Sequence, residues 1–135
     1  MNFTIFIIDD DDDDQQIFRM AISQIGASIE CKTCSEATKA LKQLSHSDIL
    51  PDLILLDMNM PQMSGLECLQ ELKSTIETSG IPVVAFDGVH NERNCKEAER
   101  LGALHYYTKP IHFSDVRRII KGVLEESFHG HYPVC

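Results

Sequence analysis

The sequence predicts an α/β fold: a doubly wound, five-stranded parallel sheet with five helices. Three short runs, "FTIFII" (3–8), "LILL" (53–56) and "VVAF" (83–86), are almost continuously apolar, as strands buried on both faces are. Between them apolar residues recur at three- and four-residue spacing, the helical period. Acidic or small residues follow each run at once.

In chain order, 3–8 is the first strand, and Ile17, Phe18, Ala21, Ile22 and Ile25 mark a helix that Gly26 ends. "SIECKT" (28–33) is a weaker strand, after which Ser35 is placed to cap a helix striped by Ala37, Ala40, Leu41 and Leu44. Beyond the 53–56 strand, Ser64 is placed to cap a third helix with Leu66, Leu69 and Leu72, or nearby positions, inward. After 83–86 a fourth helix runs from about Asn91 to Leu101, with Cys95, Ala98 and Leu101 on one side. "LHYY" (104–107) is the second weaker strand. Ser114 then stands to cap a helix facing Val116, Ile119, Ile120, Val123 and Leu124 to the core. Strand and helix alternate five times, which is the pattern of a doubly wound sheet. One domain is expected over 1–127, with a loose tail over 128–135.

Composition excludes several classes. At 135 residues and 43% hydrophobic content the chain can bury a full core. Its formal charge is −9, but six aspartates stand in one run, Asp9 to Asp14; outside it, twelve basic face fifteen acidic side chains, a balance of −3. The acidity is therefore local. No cluster of Lys and Arg marks a nucleic-acid footprint. No apolar run is long enough for a bilayer and no signal peptide precedes "IFII", so a cytoplasmic protein without membrane partners is expected. Five scattered cysteines do not form a secreted disulfide framework. The Cys31–Cys34 pair lacks a second pair or a histidine pair to complete a zinc site, and is read as buried or half-buried thiols.

Sites in open parallel sheets lie beyond the carboxyl ends of the strands. Those positions hold Asp9 and Asp10 after the first run, Asp57 after the second, Asp87 after the third, and Thr108, Lys109 and Pro110 after "LHYY". Convergent carboxylate oxygens suit a hard cation such as Mg²⁺. A lysine at the rim supplies a point charge for a phosphoryl group.

The residues "IIDD" (7–10), "PDLILLDMNMPQMSGLECL" (51–69) and "YYTKP" (106–110) carry a family resemblance. From about residue 3 to 126 the chain resembles the receiver domains of two-component response regulators, of the single-domain kind similar to CheY, which have a flavodoxin-like fold. The resemblance implies that Asp57 is the phosphoacceptor, fed by a histidine kinase or phosphotransfer protein. It implies direct Mg²⁺ binding by Asp10 and Asp57, a metal-bound water on Asp9, and the backbone carbonyl of Asn59 as a further ligand. Lys109 would pair with the phosphoryl oxygens, aimed by a cis Lys109–Pro110 bond. Tyr106 matches the aromatic switch that turns inward when the site rearranges. The protein would then be a signalling module rather than an enzyme. With no output domain expected after 126, its signal would pass to a downstream target protein through the fourth helix, fifth strand and fifth helix. His105 and His112 are read as surface residues.

One position departs from the family. Where it places Thr or Ser at the end of the fourth strand, this chain has Asp87, followed by Gly88. An ionised carboxylate cannot donate a hydrogen bond to a phosphoryl group. Two like charges at ~4 Å and an effective dielectric of ~20 repel by roughly 4 kcal/mol. Asp87 could pair with Lys109, stay protonated and donate, add a ligand to the cation, or point to solvent. The alternative reading is thus a pseudo-receiver, a phosphate-independent interaction module. A phosphohydrolase reading is weaker, because such enzymes carry a second acid two residues after the nucleophile, here Asn59, and a cap insertion that this chain lacks. Within the aspartate run, Asp9 and Asp10 should face the cation, Asp11 and Asp12 form the loop rim, and Asp13 or Asp14 start the first helix.

Overall fold

The three apolar runs form the interior of one sheet. The structure, a computed structural model, describes residues 3–26, 28–110 and 112–126; the tail expected over 128–135 lies outside them. Strands β1 (Phe3–Ile8), β2 (Ile29–Cys34), β3 (Leu53–Asp57), β4 (Val83–Asp87) and β5 (His105–Thr108) alternate with α1 (Asp12–Ile25), α2 (Ala37–Ser45), α3 (Gly65–Ser74), α4 (Glu92–Arg100) and α5 (Phe113–Glu126). All pairings are parallel, in the order β2-β1-β3-β4-β5. The doubly wound five-stranded prediction holds.

Central and edge strands differ as their sequences do. Ile5 to Ile8, Leu53 to Leu56 and Val83 to Phe86 are buried throughout, whereas edge strand β2 alternates between half-buried and exposed positions up to Cys34. Successive side chains point to opposite faces. On one face Phe6, Ile8, Ile54, Leu56 and Ala85 pack with Ala40 and Leu44 of α2, Leu69 and Leu72 of α3 and Ala98 of α4. On the other, Ile5, Ile7, Leu55, Val84 and Phe86 pack with Phe18 and Ile22 of α1 and Ile120 and Val123 of α5. Helices thus cover both faces of the sheet and leave the strand ends open. Cys31 is half-buried and Cys34 buried, both as free thiols.

Several boundaries differ from the sequence reading. Helix α1 begins at Asp12 because Asp11 caps it: its Oδ1 accepts from the amides of Asp13 (2.8 Å) and Asp14 (3.0 Å). Asp12, Asp13 and Asp14 then fill the first turn, where the positive end of the helix dipole favours carboxylates. Asp11 and Asp12 are therefore helix cap and helix, not loop rim. Helix α2 is preceded by Glu36 rather than capped by Ser35; the Glu36 carboxylate pairs with Lys39 at 2.9 Å and makes no capping bond. Helix α5 begins one residue before Ser114, at Phe113, whose ring packs on the α1–α5 core. Ser64 does cap α3, in a reciprocal box with Glu67. His105 is buried, not on the surface. The strand's alternation puts it on the same face as Tyr107, with ring centroids 5.6 Å apart; His112 is exposed as expected.

Gly65, the first residue of α3, sets how closely that helix approaches β3. Its amide donates to the carbonyl of Met58 at 3.1 Å. A Cβ at this position would meet the Asp57 carbonyl oxygen at 2.5 Å and Met58 Cα at 2.5 Å. Both are backbone atoms of the strand end that carries Asp57, so they cannot turn aside as a side-chain tip could. Gly65→Ala is expected to cost about 1–3 kcal/mol in urea unfolding, the scale of an overpacked core. It should also displace the Asp57 backbone resonances, while Gly80→Ala, which meets no atom within 4 Å, should leave them in place.

Candidate functional site

The carboxyl ends of β1, β3, β4 and β5 bring the sequence-predicted residues together at one edge of the sheet. Asp9, directly after β1, and Asp57, the last residue of β3, are buried, at 2% and 3% exposure; Asp10 beside them is exposed. One ligand oxygen from each of the three lies within 4.8 Å of the others. Lys109 reaches in from the end of β5. Its ammonium lies 3.2 Å from Asp9 Oδ2, 3.3 Å from Asp57 Oδ1 and 2.8 Å from Asp14 Oδ2. No peptide bond among the described residues is cis. Lys109–Pro110 is therefore trans, the usual preference even before proline, and the lysine reaches all three carboxylates without the expected cis turn.

Backbone amides help to fix the acids. Asp9 Oδ1 accepts from the amide of Asp11 at 3.0 Å, and Asp57 Oδ1 from that of Asn59 at 3.1 Å. Burial nevertheless dominates at Asp9: it and the neighbouring Asp57 charge push the carboxyl up to about 7, against the pull of the Asp11 amide and Lys109. Asp57 is raised in the same way, by burial and by a hydrogen bond with Asp10, with the Asn59 amide and Lys109 opposing. Burial works against the charge on Lys109, but Asp14, Asp9 and Asp57 outweigh it and hold the ammonium well above the usual lysine range. Two buried carboxylates thus share one lysine with Asp14, and Asp10 adds a third converging oxygen at the rim. Charge is undercompensated where the oxygens converge, and that donor set fits a divalent cation.

Asp87, the last residue of β4, takes none of the four courses open to it from sequence. It is only 3% exposed, so it does not point to solvent. Its carboxylate is absent from the converging oxygens of Asp9, Asp10 and Asp57, and the Lys109 ammonium pairs with Asp9, Asp14 and Asp57 instead. Nor is it a protonated donor. Burial pushes its carboxyl up, but hydrogen bonds from Tyr106, Asn59, Asn94 and the Gly88 amide outweigh that and hold it below the usual carboxylate range. Oδ1 accepts from Asn59 Nδ2 at 2.6 Å; Oδ2 accepts from Asn94 Nδ2 at 3.2 Å and from the Tyr106 hydroxyl at 2.5 Å. What looked in the sequence like a misplaced charge is a satisfied acceptor.

Tyr106 is accordingly already inward. It is 6% exposed, packs in the α2–α4 core, and accepts from the Asn91 amide at 3.2 Å while donating to Asp87. Burial and the Asp87 hydrogen bond push its phenol up to about 12. Three residues of this region escape a sequence reading. Asn91 and Asn94 carry one signal, an N-x-x-N at a helix start, in which Asn91 caps α4 through the Asn94 amide at 3.0 Å. Asp14 is hidden by its five identical neighbours.

Comparison with known proteins agrees with this geometry. A sheet of order 2-1-3-4-5 with acids gathered around its β1–β3 switch point defines the doubly wound α/β class that binds ligands at the strand ends. The family model described as "Response regulator receiver domain" matches residues 5–121, and the chain belongs to that family. It is 31% identical over 121 residues to a protein-glutamate methylesterase/protein-glutamine glutaminase of Methanosarcina mazei, covering 85% of this chain and 33% of that protein. It is 37% identical over 78 residues to the response regulator Rcp1 of Synechocystis sp., covering 58% of this chain and 52% of Rcp1. The chain thus spans about half the length, or less, of these curated relatives. Among solved structures it superposes on the phosphorylated cyanobacterial phytochrome response regulator RcpA with a TM-score of 0.87 at 29% identity, covering 96% of each chain. The Mn²⁺-bound form of Rcp1 shares the fold, with a TM-score of 0.82 at 23% identity over 98% of this chain and 99% of that one.

Proposed function

We propose that this receiver domain, spanning 1–127, accepts a phosphoryl group on Asp57 and signals by binding a downstream protein rather than by catalysing turnover. The observation that carries the proposal is the Asp57 carboxylate itself, buried at the end of β3, 3.3 Å from Lys109 and among the converging oxygens of Asp9 and Asp10. In the transfer, a carboxylate oxygen of Asp57 forms a bond to phosphorus. The bond from phosphorus to the donor breaks, and its electron pair leaves with the donor, a phosphohistidine of a histidine kinase or phosphotransfer protein. Lys109 meets the negative oxygens of the transferred group. Asp10, Asp57 and the Asn59 carbonyl would hold Mg²⁺, with Asp9 on a bound water; the cation supplies charge neutralisation at the phosphoryl oxygens. RcpA, which shares this fold, is a phosphorylated response regulator, and that supports the phosphoryl half of this reading.

Acetyl phosphate with Mg²⁺ should label the wild-type chain, and neither Asp57→Asn nor a chelated sample should take label. Label that persists in Asp57→Asn would put the acceptor elsewhere. No helix among the described residues is long and apolar enough to cross a membrane; a cytoplasmic location is part of the proposal.

A second reading rests on Asp87. Because its carboxylate already holds Tyr106 inward, the face formed by α4, β5 and α5 has the tyrosine position of a switched state without any phosphoryl group. On this reading the chain is a pseudo-receiver, a phosphate-independent interaction module. The Asp87→Thr comparison developed in the Discussion separates the two.

A further inference from the structure

The Lys109 ammonium has three N–H donors, and three carboxylates surround it. Two of these, Asp9 and Asp57, are the buried acids at the strand ends. The third, Asp14, belongs to neither strand. It projects from the first turn of α1, 30% exposed, and makes the shortest contact of the three at 2.8 Å, against 3.2 Å and 3.3 Å. Asp11 caps the same turn through the Asp13 and Asp14 amides, so the position of Asp14 is fixed by the helix start. Its carboxylate approaches Lys109 from the helix side, with Ile17, Phe18, Pro110 and Val116 lining a small cavity next to the pair. The other two acids in the turn, Asp12 and Asp13, are exposed and make no ion pair among the described residues.

We infer that Asp14 is a positioning residue that holds Lys109 and competes with the phosphoryl group for it. The inference rests on Asp57 being the phosphoacceptor. A phosphoryl group on Asp57 needs lysine N–H donors, and the Lys109 ammonium already donates to Asp14 and pairs with Asp9 and Asp57. Asp9 is buried beside the acceptor and stays within reach of the lysine whatever Asp57 carries. Asp14 is the partner that can be given up to solvent, being partly exposed. Phosphorylation therefore exchanges the Asp14 ion pair for a phosphoryl one, and Asp14 lowers the driving force for the reaction by what that pair contributes.

The test compares Asp14→Asn with Asp13→Asn, which removes the same charge from the same helix turn without touching Lys109. With acetyl phosphate and Mg²⁺, Asp14→Asn should label Asp57 about fivefold faster than wild type, the scale of one partly exposed ion pair. Asp13→Asn should change the rate less than about twofold, and that smaller effect should vanish in high salt while the Asp14→Asn effect persists. The second readout needs no phosphate: the Lys109 ammonium signal in ¹⁵N-detected spectra should be protected from exchange in wild type and Asp13→Asn, and lost in Asp14→Asn. Equal labelling by the two variants, slower labelling by Asp14→Asn, or an ammonium signal indifferent to Asp14 would overturn the inference. A chain that takes no label in any form, yet loses the ammonium signal in Asp14→Asn alone, would refute the phosphoacceptor reading and leave the holding role standing.

Discussion

Asp87→Thr is expected to release Tyr106 and to speed phosphorylation of the domain. In the wild type the carboxylate accepts from Asn59 Nδ2, Asn94 Nδ2, the Tyr106 hydroxyl and the Gly88 amide. A threonine hydroxyl offers one oxygen in place of two and no charge, so some of these donors lose their partner. The substitution should therefore cost about 1–3 kcal/mol of stability, the usual penalty for buried polar groups left unmade. That loss is charge-dependent. The Asp87 carboxyl is held below its unfolded value, so its contribution is present above the unfolded pKa near 4 and disappears as pH falls through the folded one. The cost of the substitution should shrink in the same acid range.

The tyrosine provides a direct readout. Burial and the Asp87 hydrogen bond together push the Tyr106 phenol up to about 12. In Asp87→Thr burial remains but the anionic acceptor is gone, so the phenol should titrate closer to its ordinary value in ultraviolet difference spectra, with Tyr106→Phe identifying the signal. A threonine can also donate to a phosphoryl oxygen, which an ionised aspartate cannot. Labelling by acetyl phosphate should rise by about tenfold, equivalent to ~1.4 kcal/mol in the barrier. If both forms label equally and the phenol does not move, Asp87 is not what separates this chain from a phosphate-driven switch, and the pseudo-receiver reading fails.

What could be read from the sequence followed from patterns that a single residue type can carry. Buried central strands announce themselves because both faces need apolar side chains, so β1, β3 and β4 were visible as runs, and the acids at their ends marked the site. The rule that ligands bind beyond the strand ends places Asp9, Asp10, Asp57 and Lys109 together from sequence alone. Pairwise contacts were not visible in the same way. Six identical aspartates give no clue that Asp11 caps, Asp14 reaches Lys109 and Asp13 faces water; helix phase alone decides that. Asp87 shows the same limit from the other side. Its identity was an anomaly in the sequence, but its fate depended on Asn59 from the β3–α3 loop, Asn94 from α4 and Tyr106 from β5, which only the fold assembles. His105 is buried although a histidine on an edge strand reads as exposed, because the strand's alternation turns it towards Tyr107.

Removing the lysine should expose how much the site depends on cations. Lys109→Ala leaves Asp9 and Asp57 buried with no ammonium between them, and breaking a buried ion pair in this way costs about 3–5 kcal/mol when the remaining charge cannot escape. Here it can escape by taking up a proton, which makes the cost depend on pH. In the wild type the Asp9 carboxyl is already raised to about 7, so the folded state binds more protons than the unfolded one between pH 4 and 7. Stability without divalent cations should therefore fall as pH rises through that window, by on the order of 2 kcal/mol once solvent at the exposed Asp10 side is allowed for. Lys109 lowers both Asp9 and Asp57. Its removal should extend the falling window above pH 7 and deepen it, so that Lys109→Ala and wild type differ little at pH 5 and most at pH 8. Added Mg²⁺ should raise the stability of both forms at pH 8, and of the variant more, because binding to the folded state alone stabilises it and there the cation is the only counter-charge left. Urea unfolding at pH 5 and 8, with and without Mg²⁺, measures all four terms. A penalty for Lys109→Ala that is the same at both pH values and indifferent to Mg²⁺ would mean that the lysine acts through packing, and that the converging oxygens of Asp9, Asp10 and Asp57 do not hold a cation.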